Sequence, residues 1–246
     1  MLLTQIKYDL KMFFRELFYL VFTVVVPPVT YILMGQMFSK ETYSGGMNYV
    51  QMYTPSFIVL ISFSVVFFAF GFDQVMNRAA GIEKRLFITP ITDKVLLLSS
   101  IAKSFIIASA GFFLITLIGI LVYDLRLSFV GFLVSYFSLL IVNAFMLVYS
   151  HAIYSNFKEV KTALVVSIVL FQVVMFTGGF SVPVESLPNF VRYVAYVNPI
   201  YHLNKIYVSI WNQTFDFTQA TFISVGYVVS LLIISLLVIR FNKKKE

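Results

Sequence analysis

The sequence predicts an all-α integral membrane protein: six transmembrane helices, an N-terminal amphipathic interfacial helix, and two short re-entrant helices between spans 5 and 6. Three observations lead there. Of 246 residues, 60% are hydrophobic and 12% charged, whereas globular domains carry about 25% charged residues. The apolar residues come in runs near or above the roughly 18–20 that cross a bilayer. The 18 lysines and arginines are unevenly placed. With both termini inside, the inner segments hold Lys7, Lys11, Arg15, Arg78, Lys84, Arg85, Lys94, Lys103, Lys158, Lys161, Arg240, Lys243, Lys244 and Lys245, and the outer ones only Lys40, Arg126, Arg192 and Lys205. That bias puts both termini in the cytoplasm. It also makes the net charge of +7 a signal of orientation rather than of nucleic-acid binding.

Residues 1–16 carry Leu3, Ile6, Leu10, Phe13 and Phe14 at helical spacing, with Lys7, Lys11 and Arg15 on another face. This pattern predicts a helix lying on the inner leaflet with its cations toward lipid headgroups. Span 1 is expected over 17–38. Pro27-Pro28 near its middle predicts a kink, serving either as a hinge or as a packing device. Span 2 is expected over 51–72, with Pro55 in its first turn and Phe57, Phe63 and Phe67 along it. Spans 3 and 4 are expected over 101–123 and 127–150. Lys103 at the start of span 3 is within snorkelling reach of the interface, and Asn143 in span 4 reads as a bond to a neighbouring helix. Span 5 is expected over 162–180, with Phe171, Gln172 and Met175 on it. The stretch 181–217 is too long for a turn and too apolar for a solvated loop. Pro188 and the Asn198-Pro199 break divide it into two short helices near 188–197 and 200–212, tucked into the outer face. Span 6 is expected over 218–239. The chain thus reads as one transmembrane domain.

The chemistry on offer excludes several classes. With no cysteine there is no disulfide, thiolate metal site or cysteine nucleophile. His151 and His202 fall on opposite sides of the membrane and cannot share a metal, so no metal site is expected. His151 reads as interfacial and His202 as a packing or capping residue. No Gly-x-x-x-x-Gly-Lys phosphate loop occurs, so the chain does not bind ATP in that mode. No expected span carries a charge near its centre, which disfavours an ion-coupled secondary transporter, and no arginine ladder marks a voltage sensor. An energy source outside the membrane body is the remaining option. The polar segment 77–90, a short island between two apolar runs, is the natural inlet.

Two stretches resemble a known family. The segment 71–90, with Gly81, Arg85-Leu86 and Thr89-Pro90, resembles the first cytoplasmic loop of ABC-2 type permeases. Thr177-Gly178-Gly179-Phe180, followed by Pro183, Glu185, Leu187-Pro188 and Asn198-Pro199, resembles that family's stretch after span 5. Tyr53-Thr54-Pro55 is similar to the start of its span 2. One departure is Ala80, where the family often has an acidic residue; Glu83 stands nearby as a substitute.

The resemblance implies a type V exporter fold: a half-transporter that pairs with a second permease, as a homodimer or a paralogous heterodimer, with the pathway between the halves. It implies two copies of a separate ABC ATPase, which would hold ATP and Mg, leaving no cofactor on this chain. The segment 77–90 would then be a coupling helix, with Arg78, Gly81, Glu83, Lys84, Arg85, Thr89 and Pro90 facing the ATPase and Lys158 and Glu159 of the next loop as a second contact. Phe57, Phe63, Ser64, Phe67, Phe171, Gln172 and Met175 are the pathway candidates. Gly178, Gly179, Pro183, Glu185, Pro188, Asn198 and Pro199 would form an outer gate or cap. Such a pathway suits export of apolar or amphipathic cargo, namely drugs, lipids or peptides, from a bacterial cell across its plasma membrane. In size and style the chain is similar to permeases of small-peptide exporters such as the phenol-soluble modulin exporter. The alternatives are a polysaccharide or teichoic-acid exporter permease and an ATP-independent channel or secondary transporter.

Overall fold

The computed structural model describes residues 2–41, 46–82 and 92–242. The first helix, α1 (Leu2–Arg15), is amphipathic: Phe13 is buried while Leu3, Lys7 and Lys11 stay exposed. It packs along the helix that follows the polar segment 77–90. A second rod, α2, is built of Leu17–Leu20, Val21–Val25 and Val26–Met37, and its middle piece is π-helical. The cause lies in the sequence. Pro27 and Pro28 have no N–H to offer the preceding turn. The ladder widens instead, and the Val26 N–H reaches back to the Val21 carbonyl. The expected proline disturbance therefore takes the form of a π-turn within a continuing helix.

α3 (Tyr49–Ala79) is the centre of the molecule. Its apolar stretch is buried throughout, and α2 packs on it together with four later helices, Asp93–Tyr123, Phe129–Tyr154, Val160–Thr177 and Pro199–Trp211. Asn48 opens it with a reciprocal cap, accepting from the Gln51 N–H at 2.8 Å while its own N–H donates to Gln51 Oε1 at 3.2 Å. Because the helix starts at Tyr49, Pro55 lies inside it rather than in its first turn. A stretch past its middle, Val65–Phe72, is again π-helical. The helix stops where Gly81 takes a left-handed φ of +66°.

α4 (Asp93–Tyr123), α5 (Phe129–Tyr154) and α6 (Val160–Thr177) follow. Ser128 caps α5 by accepting from the Gly131 N–H at 3.1 Å. Between α6 and the last helix stand α7 (Asn189–Val197) and α8 (Pro199–Trp211), joined at Asn198. α9 (Gln219–Asn242) closes the chain on the faces of α5 and α8. The architecture is all-helical and multi-pass. Among the described residues, five helices are long and apolar enough to cross a membrane: α3, α4, α5, α6 and α9. α2 holds a shorter apolar stretch, Val21–Met37, where six full-length spans were expected.

α4 begins at Asp93 rather than near 101, because Thr92 is already extended and starts the helix there. Lys103 lies ten residues into this helix, about 15 Å along it, is 4% exposed, and gives its ammonium to Asp73 rather than to solvent or a headgroup.

Candidate functional site

The inner ends of the helices are joined by polar side chains. Lys103 Nζ meets Asp73 Oδ2 at 2.8 Å, and the two side chains are 5% and 19% exposed. Next to Asp73, Gln74 Oε1 lies 2.7 Å from His151 Nδ1. One turn on, Arg78 Nη2 donates to the Tyr154 carbonyl at 2.6 Å, meeting the negative end of α5. The Asn242 amide donates to Ser155 Oγ at 2.9 Å and Asn156 Oδ1 at 3.1 Å, while the Ser99 hydroxyl donates to Asp9. Residues from α1, α3, α4, α5 and α9 thus enter these contacts, as does the turn after α5. Asp73 was not singled out from sequence. Its signal was an acid one residue beyond an apolar run, with its partner misplaced at a helix start.

The coupling candidates divide. Arg78 is half-buried and turned toward its own chain. Gly81 has open space around the position of a Cβ, so its left-handed backbone, not crowding, is what asks for glycine. Lys158 and Glu159 are exposed just before α6, and the Thr162 hydroxyl donates to Glu159 at 3.2 Å. Glu83, Lys84, Arg85, Thr89 and Pro90 lie outside the described residues.

The pathway candidates also divide. Phe57, Phe63, Ser64, Phe67 and Phe171 are buried within the single chain. Phe63 lies 4.3 Å from Phe67 and stacks at 6.1 Å on Phe171, which meets Phe22 of α2 at 5.7 Å and Phe68 at 5.4 Å. Aromatic packing therefore seals α2, α3 and α6 together. Phe63 and Phe171 can touch cargo only if α2 or α6 moves off α3, whereas Phe67 also borders the groove described below. Met175 is half-buried. Gln172 is exposed, on the same outward side of α6 as Val169 and Phe176.

At the outer end, the cap candidates are drawn together. The Asn198 amide donates to Thr177 Oγ1 at 2.9 Å, and its oxygen accepts from the Ile200 N–H at 3.0 Å, starting α8. Asn204, which sequence reasoning missed, donates to the Gly178 and Gly179 carbonyls at 2.9 and 3.2 Å. A polar residue within an apolar helix was the available signal. Gly179 adopts φ +71° in that turn, as glycine can at no steric cost. The Tyr49 hydroxyl donates to the Ser181 carbonyl at 3.0 Å, fastening the segment to α3. Glu185 and Pro188 are exposed and Pro183 is half-buried. His202 Nε2 donates to the Tyr196 carbonyl at 2.9 Å, leaving Nδ1 3.1 Å from Ser224 Oγ. Burial pushes this imidazole below the ordinary histidine range, the bond to Tyr196 opposes the shift and Lys205 adds to it.

Between α5, α6 and the α7–α8 hairpin lies a groove of about 460 Å³, lined by Phe67, Tyr149, Leu170, Val174, Val197 and Asn198 among others. No charged residue lines it. Its size falls within the range of about 300–1,000 Å³ common for small-molecule sites.

A family model described as ABC-2 type transporter matches residues 2–212. Among curated proteins, the chain is similar to the "Probable multidrug ABC transporter permease YbhR" of Escherichia coli (strain K12) and to its namesake in Escherichia coli O157:H7. Each is 21% identical over 168 residues, covering 68% of this chain and 45% of the relative. The chain thus matches less than half the length of those relatives.

Proposed function

The chain belongs to the ABC-2 type transporter family, and from that premise we propose that it is the permease subunit of an ATP-driven exporter for apolar or amphipathic molecules. The family works with an ABC ATPase subunit. In the proposed assembly two copies of a separate ATPase dock on the inner face, and two permease halves enclose the pathway. The uncharged groove supports the cargo class. A carbohydrate chain would need many hydrogen-bonding partners, and the polar side chains of that lining are Tyr149, Tyr193 and Asn198.

The observation that carries the half-transporter reading is Gln172. An unpaired amide facing hydrocarbon costs about 4–8 kcal/mol on an alkane scale, yet Gln172 sits five residues inside the end of a membrane helix on an exposed face. That face is best satisfied by a water-filled pathway or by a second copy. The chain has no cysteine, so single Val169→Cys, Gln172→Cys and Phe176→Cys variants give unambiguous cross-links. Oxidation in native membranes should yield covalent dimers through at least one of these positions, and none through Ile234→Cys on the outward face of α9. Monomers throughout, or equal dimer at Ile234, would remove the support for a paired half-transporter.

A further inference from the structure

We propose that Asp73, Lys103 and Arg78 are positioning residues that clamp the two cytoplasmic loops into one plate, so that force on either loop moves the inner ends of α3, α4 and α5 together. The inference rests on the reading above that the inner face receives the drive of an ABC ATPase.

Two observations and one general argument carry it. First, α3 leaves its α-helical ladder just before the island. Val65–Phe72 is π-helical, a pairing that proteins use mostly as a local break within α-helices. The Ser150 hydroxyl of α5 reaches across to the Val66 carbonyl at 2.9 Å. A push on the Ala79 end would be absorbed there by re-pairing of the ladder, unless the turn beyond is held from the side. Asp73, the first residue after the π segment, is held in that way by Lys103 of α4.

Second, the links fan out. Asp73 ties α3 to α4, whereas Gln74 and Arg78 tie it to α5 at His151 and Tyr154. The Tyr154 hydroxyl continues to Ser167 of α6, and Asn242 of α9 holds the turn after α5. The end of α3, from which the island leaves, and the end of α5 with the turn after it are therefore one connected body.

Third, a buried ion pair is a poor way to gain stability. Apolar residues of similar volume in its place are often neutral or better. What the pair adds is a fixed direction of contact between α3 and α4.

The test uses nitroxide labels at Ala79→Cys and Lys161→Cys in the otherwise cysteine-free chain, embedded in nanodiscs, with the distance distribution read by pulsed EPR. The same variants are then measured for ATP-driven transport after co-reconstitution with the ABC ATPase that co-purifies with the wild type. In the wild type the distribution should be narrow. In the apolar pair Asp73→Leu/Lys103→Met it should broaden, and transport per ATP should fall roughly fivefold or more, while thermal stability stays near wild type. The swapped pair Asp73→Lys/Lys103→Asp should recover part of both. A folded apolar pair with wild-type distances and full transport per ATP would overturn the clamp and leave Asp73–Lys103 as packing. Failure of any ATPase to co-purify with or energise the wild type would instead strike the family-based reading, and in that case the distance distributions alone still decide whether the clamp exists.

Discussion

Gly71→Leu is expected to prevent the chain from assembling as a folded membrane protein. A Cβ at Gly71 would overlap Ser150 Oγ and the Tyr154 ring. Neither neighbour can step aside. The Ser150 hydroxyl is committed to the Val66 carbonyl, and Tyr154 is held by its bond to Ser167 and by ring contacts with Phe67 and Phe157. Overpacking a tight core costs about 1–3 kcal/mol for added methylenes. A whole leucine at the contact of the central helix with α5 lies above that range. Gly71→Ala should already lower the midpoint of thermal unfolding in detergent. Gly226→Leu is the control: nothing stands within 4 Å of a Cβ built there, and its unfolding midpoint should match wild type. A monodisperse, wild-type-stable Gly71→Leu protein would show that α3 and α5 do not pack as described.

Removing one member of the Asp73–Lys103 pair is expected to have the next largest effect. Lys103→Met leaves the Asp73 carboxylate without its cation, and Asp73→Leu leaves a 4%-exposed ammonium without its anion. Breaking a buried pair from one side costs about 3–5 kcal/mol. The 19% exposure of the Asp73 side chain puts this case near the lower end, at about 3 kcal/mol. The double variant Asp73→Leu/Lys103→Met should recover most of that loss, since no charge is then stranded. Unfolding midpoints for the two singles and the double give the cycle directly. Losses that simply add would mean the two groups do not interact.

The large features were legible because each has a one-dimensional signal. Long apolar runs mark the crossing helices, and Pro188 with Asn198-Pro199 marks the breaks that frame α7 and α8. Features set by contact between distant segments were not legible. Asp73 and Lys103 are 30 residues apart, and nothing in their neighbours tells that one meets the other. Placing the start of span 3 near 101 made Lys103 look like an interfacial lysine, when the α4 it belongs to begins at Asp93. The π segment over Val65–Phe72 contains no proline, so the proline rule that flagged α2 passed over it. Likewise the phenylalanines of α3 carry no sequence signal that separates those on a pathway from the larger number that pack. Only the rings of Phe22, Phe68 and Phe171 around them show that the single chain buries them.

The most direct measurement is uptake by inverted proteoliposomes holding the chain and the ABC ATPase that co-purifies with it, assayed for an uncharged hydrophobic dye, an amphipathic peptide and a soluble oligosaccharide. ATP with Mg should drive accumulation of the dye or the peptide but not the oligosaccharide, and a proton or sodium gradient without ATP should drive none. Uptake that follows the ion gradient and ignores ATP would contradict the proposal that this chain is the permease of an ATP-driven exporter.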